Sequence, residues 1–329
     1  MHQEVTHIPP NSADSAAFVP KDVNILQSEL WKEFQQKLGK KTVAVQRDKY
    51  SFLTVVENTP IGKYLFVPYG PYLADRKQFS PALAKLKKIA EKEKAIFIRI
   101  EPTIFFSQKY LKSLGAIKSK DIDPAETWVL DLPEEKEKLL QLFPRRLRGY
   151  YNTHGKKGIE IIKSKNLSDI HYLVNLQKKT FQSKNIQPFS EKYLAKELEQ
   201  DFSTLYLAKY QDKIIAAVLV FDDKNTRYYM QAASDKNFAK LNANGILTIQ
   251  TILDAWDKKL TAFDFWGIAP DGAPKDHPWA GFTAFKKMFA GEAKYYSGTY
   301  DIPVKRFRYF FYCWLRKINL LVQKSKRQS

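Results

Sequence analysis

Between Arg227 and Asp301 the chain carries Lys286, flanked by Phe285 and Phe289, and a short run Ala262-Phe-Asp-Phe-Trp closed by Gly267. A fixed ammonium can stabilise the oxyanion that develops when an amine attacks an activated acyl group, and such a transfer needs no metal and no covalent intermediate. A surface lysine on an amphipathic helix is the commoner reading of any single Lys, so the elements around it carry the argument. Arg227–Ala233 is aromatic, bounded by polar turns, and reads as a strand ending at Ser234-Asp235. Leu247, Ile249, Ile252, Leu253 and Trp256 recur at helical spacing behind Asn242-Ala-Asn-Gly, which predicts a buried helix. Ala262–Trp266 reads as a second strand, and Gly267 after it lets backbone or ligand approach closely. A loop with Pro270, Gly272, Pro274 and Pro278 then leads to the lysine-bearing helix. This order of elements delivers Lys286 to the carboxyl end of an α/β sheet, where open sheets bind ligands.

The remaining elements must support that site. A chain of 329 residues, 44% hydrophobic and 14% aromatic, holds material for two cores, and two domains are the default at this length. Helices are expected over Ser28–Leu38, Pro81–Lys94, Leu167–Lys184 and Glu191–Glu199. Strands are expected over Lys41–Gln46, Tyr50–Glu57, Tyr64–Val67, Ala95–Ile100, Thr127–Leu132, Ser203–Lys209 and Lys213–Asp222. The strand at Lys213–Asp222 has the continuous apolar run of one buried on both faces. A connecting helix from Glu134 to about Lys157 marks the boundary, giving a first domain of residues 1–132 and a second of 133–302. The first twenty or so residues read as a loose tail, and no internal repeat is visible.

Charge and composition narrow the classes. Lys and Arg number 54 against 35 Asp and Glu, a net charge of +19, and the excess favours polyanionic partners such as tRNA, a nucleotide diphosphate or anionic lipid headgroups. Cys313 is the single cysteine, so neither an intrachain disulfide nor a Cys-based metal cage is expected. His2, His7, His154, His171 and His277 show no metal spacing, and no GxSxG, Walker or GxGxxG sequence occurs. No metal site and no cofactor are expected. The sequence shows no signal peptide and no apolar run of about 18 residues, so a cytoplasmic protein is expected.

Residues 303–323 read as a basic amphipathic helix. Phe307, Phe310, Phe311, Trp314, Leu315, Ile318 and Leu321 share one arc, with Lys305, Arg308, Tyr312 and Arg316 opposite. The apolar arc either packs on the first domain or inserts at an anionic membrane surface, a peripheral contact through 305–322 that the Lys324-Ser-Lys-Arg tail would assist.

Several motifs resemble the FemABX family of peptidyltransferases, of FemX and MurM type. They are Phe263-Asp-Phe-Trp-Gly-Ile, Phe285-Lys-Lys-Met-Phe-Ala-Gly-Glu and Tyr296-Ser-Gly-Thr-Tyr-Asp-Ile-Pro, and upstream Leu26-Gln-Ser with Trp31 and Phe34, Val67-Pro-Tyr-Gly-Pro, Ile98-Arg-Ile-Glu-Pro, Thr127-Trp-Val-Leu-Asp-Leu and Pro144-Arg-Arg-Leu-Arg. The resemblance covers nearly the whole chain. It implies an α/β fold of two tandem acetyltransferase-like (GNAT) domains with mixed sheets flanked by helices, the chain end (303–329) returning to the first domain. It implies an aminoacyltransferase that uses aminoacyl-tRNA to extend the stem peptide of a peptidoglycan precursor. An acyl-CoA-dependent N-acyltransferase and a non-catalytic tRNA- or membrane-binding relative are the alternatives.

The resemblance also assigns roles. Lys286 matches the family's functional lysine, and Glu101, at a strand end before Pro102, matches an acidic residue proposed to take a proton. Phe285, Tyr193, Gln231, Asp264, Gly267 and Tyr69 are the expected substrate contacts. The basic helix with Arg145, Arg146, Arg148, Lys156 and Lys157 is the expected tRNA contact; its plainer reading is a solvated connector. Two departures stand out. The positions of the family's diphosphate-gripping basic pair fall on Gln35 and Phe189, with Lys32, Lys37 and Lys184 nearby, which points to a lipid-linked rather than a UDP-linked precursor. The long paired-helix (coiled-coil) tRNA arm of FemA-like members is absent.

Overall fold

The computed structural model describes residues 23–182 and 189–328, with side chains described through 178 and over 189–318. The tail before Val23, Lys184, and the side chains of Leu321 and of the final basic run lie outside that description. The protein is α/β, with two mixed sheets flanked by helices.

The first sheet grows from hairpins. β1 (Thr42–Gln46), β2 (Tyr50–Thr59) and β3 (Gly62–Val67) pair antiparallel, β4 (Tyr72–Leu73) adds to the start of β2, and β5 (Phe97–Ile100) joins β3 in parallel. The short β6 (Ile117–Lys118) forms the far edge. α1 (Glu29–Lys37) starts where the Ser28 side chain accepts the Trp31 N–H, an N-cap that satisfies one free helical donor. α2 (Phe79–Lys92) buries Phe79, Ala82, Leu83, Leu86, Ile89 and Ala90 on one face, matching its helical period of apolar residues. α3 (Gln108–Ser113) precedes β6.

The second sheet contains β7 (Glu126–Asp131), β8 (Ile159–Ser164), β9 (Ser203–Tyr210), β10 (Lys213–Asp222), β11 (Thr226–Ser234), β12 (Ala262–Gly267) and β13 (Glu292–Tyr295), in the order β13-β7-β12-β11-β10-β9-β8. Ile215–Phe221 of β10 is buried throughout, as a central strand covered on both faces must be. The expected helix from Glu134 to Lys157 is instead two, α4 (Lys136–Leu142) and α5 (Arg145–Thr153). Phe143, before Pro144, is extended at φ −82° and ψ 141°, because a proline disfavours helical backbone in the residue it follows. α6 (Ile170–Gln182) and α7 (Glu191–Leu198) cover one face of this sheet, and α8 (Ala243–Asp257) packs on β10 and α5.

A boundary at residue 132 does not separate the sheets. β7, from the first segment, pairs with β12 and β13 of the second sheet. β14 (Tyr300–Pro303), from the second segment, inserts between β5 and β6 of the first. The halves thus exchange strands. Backbone pairing is satisfied wherever an edge is open, and sequence order along the chain does not reveal which edge that is. A core containing Leu26, Phe34 and Tyr69 together with Leu194, Leu219 and Tyr228 further joins them. Among the described residues of 133–302 the longest helix is the 15-residue α8, and no paired-helix arm projects from that segment. After α9 (Ala280–Lys286), α10 (Arg306–Gln328) closes the chain. It lies on the first sheet through Tyr309, Tyr312 and Cys313, which meet Phe97 and Tyr64. Of the apolar arc, for which the sequence leaves packing on the first domain and a membrane surface both open, Phe307, Phe310, Phe311 and Trp314 are exposed rather than packed on the first sheet.

Candidate active site

β11 and β12 run parallel but pair only over Thr226–Tyr228 against Ala262–Asp264. A carboxylate at the fork bends β12 away. Asp264 Oδ1 accepts the Trp266 N–H at 2.7 Å, Trp266 adopts φ +63°, and the β12–β7 register slips between Asp264 and Gly267. A non-glycine residue in the left-handed region needs local support, and this hydrogen bond supplies it. Burial pushes the Asp264 carboxyl up to about 6.

Two cavities open beyond the fork. The smaller, about 280 Å³, is lined by Met230, Gln231, Trp266, Gly267, Asp123, Pro124 and Phe189 among others. The larger, about 410 Å³, is lined by Ser234, Lys236, Asn242, Ala243, Asn244 and Phe285 among others, and reaches the first turn of α8. Lys286, Phe282, Tyr229 and Ala232 line both. The ammonium of Lys286 therefore sits at the junction of two compartments. Its Nζ donates to the Gly267 carbonyl at 2.5 Å, and burial lowers its proton affinity to about 8, opposed by the Asp264 charge. At neutral pH it is still mainly a cation, and two further N–H groups remain for a bound oxygen. α9 is held in place by Thr283, whose hydroxyl accepts the Ala269 N–H at 2.7 Å, and by Phe285 packing edge-on against buried Phe289. Gly267 is required sterically: a Cβ there would stand 2.5 Å from Pro124 Cγ.

The expected site residues distribute unevenly. Lys286, Phe285, Gly267 and Gln231 come together at the cavities, Gln231 accepting the Gln177 amide at 2.8 Å. Glu101 is only 2% exposed and is held by the Thr299 hydroxyl at 2.6 Å, the Asp123 N–H and the Tyr69 N–H. The carboxyl that lines the smaller cavity is Asp123, which hydrogen-bonds Glu101 side chain to side chain. Burial raises both, and the Glu101 charge raises Asp123 well above the carboxylate range. Burial and the neighbouring Glu101 charge thus both favour the protonated form of Asp123. Sequence reading missed Asp123. It lies in Lys120-Asp-Ile-Asp-Pro, and nothing local separates it from exposed Asp121.

Tyr69 is interior and supports the cavity wall, its hydroxyl donating to the Pro124 carbonyl at 2.8 Å. Tyr193 is half-buried, stacks on Phe189 at 5.2 Å and hydrogen-bonds Glu197, whose buried carboxyl is pushed up to about 8. Asp264 lines a third cavity of about 540 Å³, with Tyr72, Tyr228 and Lys294. On α5 and the turn after it, Arg145, Arg146, Lys156 and Lys157 are exposed, with Arg146 and Lys157 over the Tyr150 ring. Arg148 turns inward to the Leu140 carbonyl. α5 is clamped to α8 where Leu147 meets Gly245, a position at which a Cβ would stand 2.9 Å from the leucine. Gln35 is buried and Phe189 exposed, while Lys32 pairs with Glu29 and Lys37 donates to Gln200. No cluster able to hold a metal ion occurs among the described residues.

Comparison with known proteins fits this arrangement. The FemAB family model matches residues 190–317, which include β11, α8, β12 and Lys286. FemX shares the fold at a TM-score of 0.72 with 18% identity, over 88% of this chain and 95% of that one. L-PGS from Bacillus licheniformis does so at 0.53 with 13% identity, over 91% and 99%. The C-terminal domain of a putative lysylphosphatidylglycerol synthetase from Agrobacterium fabrum does so at 0.54 with 12% identity, over 87% and 91%. No curated protein matches the sequence. The FemAB family model thus spans the strands and helices that build the Lys286 site, and the arrangement of both sheets is the fold that FemX has.

Proposed function

We propose that the protein is an aminoacyltransferase that moves an amino acid from aminoacyl-tRNA to the stem peptide of a peptidoglycan precursor. The observation that carries this reading is Lys286 at the junction of two cavities: one compartment suits the donor, the other the acceptor, and the ammonium lies where they meet. The donor ester is already activated, so positioning and charge stabilisation are the tasks left to the protein. The acceptor amine attacks the ester carbonyl, a C–N bond forms, and the carbonyl electron pair moves onto oxygen, where the Lys286 N–H groups meet it. Collapse breaks the C–O bond to the ribose, whose oxygen takes the proton that the amine gives up.

In this reading Asp123, with Glu101 behind it, carries that proton: its carboxyl accepts from the amine while passing its own proton toward Glu101, and the pair returns one proton to the leaving oxygen. Exposed Arg145, Arg146, Lys156 and Lys157 flank α8, whose first turn lines the larger cavity. This supports tRNA approaching from that side, with Phe285 beside its acyl end. The smaller cavity, with Gln231, Asp123 and the Phe189–Tyr193 stack, would then hold the acceptor. Gln35 and Phe189 bring no cation to grip a diphosphate, and Lys32 and Lys37 are already engaged. A lipid-linked precursor at the inner membrane face is the acceptor this favours. No helix among the described residues is long and apolar enough to cross a membrane.

The test is incubation of the protein with mixed charged tRNA and either UDP-linked or lipid-linked stem peptide, followed by mass spectrometry. An aminoacyl mass increment on the lipid-linked acceptor is expected. No increment on either acceptor, or acylation from acyl-CoA without tRNA, would overturn the reading.

A further inference from the structure

α10 packs with the wrong side inward for a soluble helix. Its contact face on the first sheet is Tyr309, Tyr312 and Cys313, whereas Phe307, Phe310, Phe311 and Trp314 are 94%, 58%, 51% and 56% exposed. At 3.6 residues per turn these four lie within about 100° of arc, centred opposite the packed face. Phe311 and Trp314 stack at 5.7 Å, so the stripe is one continuous aromatic surface. Contiguous exposed apolar surface of this kind marks an interaction site.

The surrounding charge identifies the occupant. On the same helical projection Arg308 borders the stripe on one side, and Arg306 and Lys317 border it on the other; all three are exposed. The 23-residue helix contains no Asp or Glu, and its sequence continues with Leu320, Leu321 and Val322 before Lys324, Lys326 and Arg327. An aromatic stripe edged by cations matches a bilayer surface: rings enter at the headgroup level and cations meet lipid phosphates. Two copies pairing through this stripe would bring two wholly cationic helices together, and like charges at that range repel.

We propose that α10 is a docking helix for a bilayer carrying anionic phospholipid, with Phe307, Phe310, Phe311 and Trp314 inserted and Arg306, Arg308 and Lys317 on the headgroups. This deepens the lipid-linked acceptor of the reading above by fixing the face the protein turns to the membrane.

The experiment is co-sedimentation of the full chain with vesicles of phosphatidylcholine alone and of phosphatidylcholine mixed with phosphatidylglycerol, containing neither acceptor nor tRNA. Wild type should partition at least about tenfold more strongly onto the mixed vesicles and lose binding as salt rises. The surface variant F307S/F311S/W314S should keep the wild-type circular dichroism and lose at least about tenfold in partition. Brominated lipid should quench the Trp314 fluorescence, and Trp314→Phe should remove that quenching while retaining binding. Equal binding by wild type and triple variant would overturn the proposal, as would no binding to either vesicle. A wild-type dimer in sedimentation equilibrium that the triple variant disperses, without vesicle binding, would assign the stripe to a second copy instead. Because the vesicles hold no substrate, failure here leaves the aminoacyl-transfer reading standing, and failure of transfer leaves docking standing.

Discussion

Lys286 Nζ hydrogen-bonds the Gly267 carbonyl at 2.5 Å, which fastens the end of α9 to the end of β12 and fixes the ammonium at the fork between β11 and β12. The charge is held at a cost, since burial pulls its proton affinity down to about 8. Lys286→Met should lower kcat by about a hundredfold or more without lowering the melting temperature, because a desolvated cation is removed. In wild type the cation is present below about pH 8 and is lost as pH rises through it. kcat should therefore fall on the alkaline side of that value, roughly tenfold per pH unit. Lys286→Arg should not rescue, because a planar guanidinium cannot occupy the point-charge position of an ammonium. A wild-type rate in Lys286→Met would remove the oxyanion role.

The Asp123–Glu101 pair separates a chemical role from a structural one. Glu101 accepts from Thr299, the Asp123 N–H and the Tyr69 N–H. Glu101→Gln would turn an amide donor toward those donors, and should cost about 1–3 kcal/mol in chemical denaturation. Asp123→Asn keeps a donor toward Glu101, so stability should hold while kcat drops about 10- to 100-fold. Burial raises both carboxyls. The folded pair therefore holds more protons than the unfolded chain above the ordinary carboxylate range, and stability declines as pH rises through the raised values. Asp123→Asn should flatten that decline in melting curves taken across pH.

How much of this was legible in the sequence depends on the range of the signal. The order strand, helix, strand, loop and lysine helix follows from local periodicity and turn residues, and Lys286, Phe285, Gly267 and Gln231 line the cavities at the end of those elements. Asp123 was invisible, because its setting arises only when the fold brings it against buried Glu101, distant in sequence. The exchange of β7 and β14 was likewise hidden, since edge pairing depends on tertiary assembly rather than on the strand's own residues. The inverted packing of α10 had the same origin. Its period identified a helix, but only the aromatic ledge of Tyr64 and Phe97 decides that Tyr309 and Tyr312 face inward.

Gly267 tests the fork itself. A Cβ there would meet Pro124 at 2.5 and 2.8 Å and Trp279 at 3.2 Å. Pro124 adjoins Asp123 and is braced by Tyr69, so the wall can yield only by moving the carboxyl. Gly267→Ala should cost about 1–3 kcal/mol in stability and reduce kcat more than it raises KM.

The basic face of α5 should be felt through salt. Arg146 and Lys157 converge on Tyr150 without an acidic partner among the described ion pairs. Arg146→Ala/Lys157→Ala should weaken charged-tRNA binding uniformly across tRNA species. It should also reduce the slope of log K against log salt by roughly one to two. An unchanged slope would return α5 to the role of a solvated connector.

The strand exchange makes its own prediction, far from the cavities. Arg99 on β5 and Asp301 on β14 form a two-point ion pair at 2.7 and 2.8 Å, each side chain 2% exposed. Tyr309 of α10 donates to the same carboxylate at 3.2 Å. Removing one member leaves a buried unpaired charge, so Arg99→Ala should cost roughly 3–5 kcal/mol. Replacing both members with apolar residues of similar volume should recover most of that loss, because the desolvation cost of the pair disappears with it. If the C-terminal strand is held chiefly by this pair, Arg99→Ala will also expose α10 to limited proteolysis ahead of global unfolding, and the double replacement will protect it again. If backbone pairing of β14 with both β5 and β6 suffices, the single variant will lose stability as one cooperative unit with α10 still protected.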